Sequence, residues 1–223
     1  MEKIDIGKKI LRENEKYAFE NILFLTGRKK LCLNMISSPG SGKTTILART
    51  ITELKNKMRI GVIEGDIQTD IDAERIRKTE APVVQINTEG ACHLSAPQIS
   101  EALKTLPVDD LDLIIIENVG NLVCPSAFAL GESGKIAVLS VAEGDDKPAK
   151  YPGIFAKSKV LLLNKIDLLD GGHVDFDIER AKADARNLNK DLEIFPISAK
   201  TGEGMASWYD WLTRSVRENR AQP

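Results

Sequence analysis

Apolar residues along this chain follow two rhythms. Over the first 26 residues, Ile6, Ile10, Tyr17 and Leu23 recur at spacings close to a helical period with charges between them, which predicts an amphipathic helix or helix pair packed on the main body. From Lys30 onward, short apolar runs alternate with longer polar-faced segments. That is the βαβ signature of a mostly parallel sheet. Strands are predicted near Leu31–Ile36, Arg59–Ile63, Val83–Ile86, Leu111–Ile116, Ile136–Val141, Val160–Leu163 and Glu193–Ile197. Helices fill most of the gaps, most clearly at Thr44–Lys57, Ala96–Leu106, Ile178–Leu188 and Met205–Arg217. The expected architecture is α/β: one domain over residues 27–223, a mostly parallel central sheet with helices on both faces, and residues 1–26 as an N-terminal helical segment packed on it. No internal repeat, low-complexity tract or Pro/Ser-rich linker marks a boundary inside it.

Composition narrows the classes. The 223 residues include 31 basic and 33 acidic side chains for a formal charge of −2, and neither sign forms a block, so the electrostatic footprint of a nucleic-acid binder is missing. No apolar run approaches the about 18–20 residues that cross a bilayer, which excludes a membrane span. The opening MEKIDIGKKI interleaves charges with isoleucines and lacks the apolar segment of a secretory signal, so a cytoplasmic location is expected. Three cysteines, an odd number, in a reducing compartment argue against a disulfide framework and leave metal binding, catalysis or packing.

Chemistry enters directly after the first predicted strand, with SSPGSGKTT from Ser37 to Thr45 followed by a predicted helix. Strand, glycine-rich turn and helix are the context a P-loop requires. Gly40 and Gly42 let successive N–H groups point at phosphates, with the helix N-terminus adding its dipole. Pro39, Gly40, Ser41, Gly42, Lys43, Thr44 and Thr45 are therefore the expected phosphate-binding residues, Lys43 reaching the β- and γ-phosphates and the Thr44 hydroxyl binding Mg²⁺. The usual pattern G-x-x-x-x-G-K-S/T has its first glycine replaced by Ser37, which a serine tolerates if its φ is negative. Further magnesium oxygens are expected at strand ends: Asp66 and Asp70 in IEGDIQTD, and Glu117 closing LDLIIIE at the Walker-B position. Asp70 reads equally as a helix cap or a surface charge. Glu117 is the better candidate, because the run before it is too buried to end in a carboxylate without a partner. Lys43, Thr44 and Glu117 are thus the catalytic candidates, and Gly120 fits a switch whose N–H senses the γ-phosphate. No residue is uniquely placed to orient an attacking water, so slow intrinsic hydrolysis is expected.

The sixth predicted strand runs into Asn164-Lys165-Ile166-Asp167, the N-K-x-D of GTP-binding proteins. A carboxylate only accepts hydrogen bonds, so Asp167 suits guanine N1–H and its amine, whereas adenine would leave it unpaired. About thirty residues on, after the next strand, comes Ser198-Ala199-Lys200, where such proteins contact guanine O6 with backbone N–H groups. GTP is therefore the expected nucleotide.

Cys92 and His93 are adjacent in NTEGACHL, and Cys124 lies in ENVGNLVCP, seven residues beyond Glu117. In a parallel sheet both segments emerge at the P-loop edge. Two thiolates and an imidazole suit Ni²⁺ or Zn²⁺. A closed site needs one more ligand, from water or from a second subunit across a two-fold axis. The alternative, ordinary packing, is the reading for Cys32 inside the first strand, and His173 is read as exposed in a loop. Because Cys124 follows Glu117 so closely, nucleotide state is expected to alter metal affinity.

EGDIQTDIDAERI, CHL, ENVGNLVCP, EGDDKPAKYP, NKIDLL and TGEG together resemble the hydrogenase nickel-incorporation GTPases, a SIMIBI-class family of accessory proteins in nickel–iron hydrogenase maturation. The resemblance runs from about Leu31 to Leu212. It implies a homodimer when GTP-bound, with nickel or zinc held by Cys92, His93 and Cys124. It further implies a small zinc-containing hydrogenase accessory protein and the hydrogenase large subunit as partners. The chain departs from the family at Ser37, at Ala91 before the Cys-His pair and at Ser95. It carries neither an N-terminal cysteine cluster nor a histidine-rich stretch, so nickel storage is not expected. Three rivals predict other features. A urease accessory GTPase has Cys-Pro-His where this chain has Cys124-Pro125-Ser126. A metal-binding switch would hold GTP without turnover, and a small-molecule kinase would use ATP, which Asp167 opposes.

Overall fold

The computed structural model describes residues 6–66, 71–170, 172 and 174–221; Asp70 and His173 lie outside the described residues. Along the chain run α1 (Ile6–Thr26), β1 (Leu31–Ser37), α2 (Lys43–Leu54), β2 (Ile60–Asp66), α3 (Ile71–Arg77), β3 (Val83–Asn87), α4 (Ala96–Thr105) and β4 (Leu113–Glu117). Then come α5 (Cys124–Ala127), β5 (Gly134–Ser140), α6 (Lys147–Lys150), α7 (Pro152–Lys157), β6 (Ser158–Asn164), α8 (Ile178–Leu188), β7 (Glu193–Pro196) and α9 (Met205–Ala221). The strands form one sheet in the order β3-β2-β4-β1-β5-β6-β7, every neighbouring pair parallel. Parallel pairing needs crossovers, and these crossovers lay helices on both faces.

The alternation within strands decides which helix covers which face. Leu31, Leu33 and Met35 of β1 pack with Ile46, Leu47 and Ile51 of α2 and with Trp208 and Leu212 of α9. Cys32 points the other way, toward Ile99 and Leu103 of α4, while Ile36 joins Ile154 and Phe155 of α7. Trp208 is fully buried, and its indole N–H donates to Thr50 Oγ1 at 3.1 Å, so the polar tip of this large side chain is satisfied.

Strand ends shift by one to three residues from the apolar runs that predicted them, most informatively in β2 and β4. β2 continues three residues past Ile63, because Glu64, Gly65 and Asp66 keep pairing with Gln85, Ile86 and Asn87 of β3. β4 starts only at Leu113, a 3₁₀ turn over Val108–Asp110 taking up the chain before it, and it closes on Glu117 itself. Apolarity reports burial, whereas pairing is set by the ladder.

Of the N-terminal segment, Ile6–Thr26 form one helix, α1, which is fastened by asparagines. Asn14 donates to Ala129 O at 2.8 Å and accepts from Ala96 N at 2.8 Å. Asn21 donates to Ala96 O at 3.0 Å and Leu130 O at 2.9 Å. Both side chains are buried, so α1 holds the start of α4 to the loop after α5. Among the described residues, no helix is long and apolar enough to cross a membrane.

Asn21→Ala should cost about 1–3 kcal/mol, since it strands two buried carbonyls without their donor. Urea denaturation reads this directly, and an unchanged midpoint would mean that α1 is not part of the cooperative unit.

Candidate functional site

All strands point their carboxyl ends to one edge, where the loops carrying the predicted motifs gather, as open parallel sheets arrange their ligand crevices. β1 closes on Ser37 and α2 opens on Lys43. Between them Gly40 has φ 75° and Gly42 φ 96°, both left-handed. Gly42 is doubly constrained, because a Cβ there would lie 2.5 Å from the Asn164 side-chain nitrogen. Ser37 ends the strand without positive φ, and its hydroxyl accepts from Lys43 Nζ at 2.9 Å. The serine in place of glycine thus acquires a contact with the loop's lysine.

Lys43 is buried, and that burial lowers its pKa from the usual lysine value; Glu117, Asp72, Glu143 and Glu64 oppose the shift. The carboxylates around it suit an ammonium, the form that pairs with phosphate oxygens. Thr44 Oγ1 donates to Glu117 Oε1 at 2.7 Å. Met35 of β1 stands beside Glu117 of β4 in the ladder, which brings the hydroxyl and the carboxylate to the same corner. A cavity of about 430 Å³ opens over these groups, lined also by Pro39, Gly40 and Glu64. Asp66 ends β2 at this edge.

The base motifs meet around a second cavity of about 190 Å³, lined by Gly42, Thr45, Lys165, Asp167 and Ala199. Asn164 donates to Ser41 O at 2.8 Å and accepts from Ala199 N at 3.1 Å, so one buried amide joins the phosphate loop to the Ser198-Ala199-Lys200 loop. Lys165 takes left-handed backbone, φ 66°, and its Nζ donates to Gly40 O at 2.7 Å. Asp167 Oδ1 accepts from Ser198 Oγ at 2.6 Å. The two cavities share Gly42, Thr45 and Lys165 and form one continuous groove from phosphate to base. A larger cleft of about 710 Å³ lies at the opposite edge, beside the starts of β1, β6 and β7 at Leu31, Ser158 and Glu193, and none of the motif residues lines it.

Cys92 and His93 sit in the loop before α4, and Cys124 opens α5. Their ligand atoms all lie within 4.8 Å of one another. His93 stacks on Phe128 at 4.0 Å between centroids, and its partial burial lowers its pKa, favouring the neutral imidazole that ligates metals. Cys92 is exposed; a hydrogen bond with the Cys124 side chain, then burial, raises its pKa. Asn121 donates to Cys92 O at 3.3 Å, tying the two arms together. Cys32 is fully buried, burial pushes its thiol far up, and it stands apart as packing.

Two contributors escaped the sequence reading. Glu143 Oε1 accepts from Ser41 Oγ at 2.5 Å and Ser140 N at 3.0 Å, bracing the phosphate loop from the start of EGDDKPAKYP. Its signal was the capping-box spacing Ser140 to Glu143. Arg49 donates to Ala199 O and Lys200 O, both at 3.2 Å, which no local motif announces.

Residues 32–196 match the CobW/HypB/UreG, nucleotide-binding domain family. Hydrogenase maturation factor HypB of Escherichia coli (strain K12) is 50% identical over 209 residues, covering 94% of this chain and 71% of that protein. The probable hydrogenase maturation factor HypB of Methanocaldococcus jannaschii is 40% identical, covering 96% of each. The crystal structure of HypB from Helicobacter pylori in complex with nickel superposes with a TM-score of 0.86 at 37% identity, covering 94% of this chain and 98% of that one. With a parallel P-loop sheet, a guanine-type base loop and these relatives, the chain belongs to the HypB hydrogenase maturation factors of the CobW/HypB/UreG P-loop GTPase family.

Proposed function

We propose that this chain is a GTP-hydrolysing nickel carrier, whose nucleotide state sets the affinity of the Cys92-His93-Cys124 group and the formation of a homodimer. The observation that carries the proposal is positional. The Cys-His-Cys atoms converge within 4.8 Å at the edge that bears the P-loop, and Cys124 lies on the segment leading directly out of Glu117. In this reading Lys43 and the loop N–H groups hold the phosphates, while Asp167 and the 198–200 loop select guanine. The Thr44 hydroxyl and Glu117 carboxylate are hard oxygen donors 2.7 Å apart, a pairing that fits Mg²⁺, with Asp66 as a further donor. When bound, Mg²⁺ supplies neutralisation of charge on the β- and γ-phosphates. Slow hydrolysis in the isolated chain belongs to this reading, since among the described residues no side chain is dedicated to orienting water.

Nickel is the cargo in this reading, supported by the nickel complex of the Helicobacter pylori relative; zinc satisfies the same donors. Exposure of Cys92 leaves the group open to a second copy, whose ligands complete the coordination in the GTP-bound dimer. The cytoplasm is the proposed location. A small zinc-containing accessory protein and the hydrogenase large subunit are the proposed partners. Release of nickel to the large subunit follows GTP hydrolysis.

Asp167→Asn should weaken GTP binding at least about hundredfold, because the amide cannot accept from both guanine N–H groups. It should also improve binding of xanthosine triphosphate, which offers a carbonyl where guanine has its amine. Equal GTP affinity in wild type and variant, measured by calorimetry, would remove Asp167 from the base site. Cys124→Ala should weaken and shift the thiolate-to-nickel absorption band, Cys92 remaining as a thiolate ligand, and lower nickel affinity at least about tenfold. An unaltered band would place the nickel elsewhere.

A further inference from the structure

Beneath the Cys92-His93-Cys124 group runs a buried chain of polar side chains that the nucleotide and metal motifs do not require. Lys135 of β5 donates to the carbonyls of Phe128 at 2.9 Å and Pro125 at 3.4 Å, fastening the turn that carries Cys124. It also pairs with Glu132 at 2.5 Å. Glu132 Oε1 accepts from Asn34 Nδ2 at 3.2 Å, and Asn34 Oδ1 accepts from Asn118 Nδ2 at 3.2 Å. Asn118 Oδ1 then accepts from Val119 N at 2.9 Å and Leu94 N at 3.2 Å. Asn34 and Asn118 are essentially inaccessible, and the ion pair exposes no more than 11% of either side chain. Apolar residues of similar volume would suit such a position at least as well for stability alone, so the network points to a role in placing the elements it joins.

Its two ends differ in attachment. The Lys135 end is rooted in the middle of the sheet through β5 and β1. The Asn118 end belongs to the segment immediately after Glu117, which rests on the phosphate loop: a Cβ on Gly120 would lie 3.0 Å from Pro39 Cα. Leu94, held by Asn118, is the residue after His93. A shift of residues 117–120 therefore acts on the Cys92-His93 arm through the Leu94 N–H, while Lys135 keeps the Cys124 turn in place. The separation between the arms changes, and with it the fit to a metal ion.

We infer that Asn118 is the positioning residue through which nucleotide state reaches the metal ligands, by hydrogen bonding the Leu94 N–H to the segment that follows Glu117. This rests on the preceding reading of the nucleotide and nickel sites. The physical warrant for such coupling is an element whose arrangement both sites bias, and residues 117–120 touch both.

The test is nickel titration of the whole chain, followed through thiolate-to-nickel absorption, in GDP and in a hydrolysis-resistant GTP analogue. In the wild type the two affinities should differ at least about fivefold, the lower range of measured couplings. In Asn118→Ala they should fall within about twofold of each other, whatever happens to the absolute affinities. A purely structural role would weaken both states alike and preserve the ratio. If alanine prevents folding, Asn118→Ser serves instead, because its hydroxyl is one bond too short to reach Leu94 but still able to bond Val119 N. A wild-type ratio retained in the variant overturns the assignment to Asn118 alone. Equal affinities in the wild type overturn the coupling itself, and this inference with it.

Discussion

The hydrogen bond from Thr44 to Glu117 is the contact around which the site is organised. It exists because β1 and β4 are neighbours in a parallel ladder, with Met35 beside Glu117, and because the chain leaves β1 by a loop short enough to start α2 at Lys43. Carboxylates accepting hydrogen bonds in buried surroundings are held more firmly than neutral acceptors, by about 1.5–3 kcal/mol against about 1. The segment C-terminal to Glu117, up to Cys124, therefore starts from a contact with the phosphate loop.

Around that point, three amides and a few charges hold the loops together. Asn164 joins the phosphate and base loops, Asn118 joins the segment after β4 to the Cys-His loop, and Asn21 joins α1 to the start of α4 and to the loop after α5. An amide is suited to this work because it donates and accepts at once without carrying a charge into the interior. Lys43 differs from these amides, a buried lysine surrounded by Glu117, Asp72, Glu143 and Glu64. Those carboxylates oppose its desolvation without cancelling it and form a compact charge cluster at the proposed phosphate site.

Much of this was legible in the sequence, and the reason differs by feature. Strand and helix order followed from apolar periodicity, since Leu31, Leu33 and Met35 alternate with residues facing the other layer. SSPGSGKTT, NKID and SAK were readable because each depends on residues close together in the chain. The convergence of Cys92, His93 and Cys124 followed from all strands ending at one edge. What stayed hidden depends on distant partners. Glu143 meets Ser41 across 102 residues and Arg49 meets Ala199 across 150, and the polar extension of β2 was masked by Glu64 and Asp66. Asn14 and Asn21 belong to no local motif, and their inward grip depends on Ala96, Ala129 and Leu130, far along the chain.

In the proposed function the Cys-His-Cys group holds nickel and the nucleotide reshapes it. X-ray absorption of nickel bound to the whole chain measures this most directly. With GDP and then with a hydrolysis-resistant GTP analogue, the spectra should contain sulfur and imidazole scattering from Cys92, Cys124 and His93, with a sulfur contribution that changes between the two states. A nickel environment of light atoms alone, or one identical in both states, would contradict it.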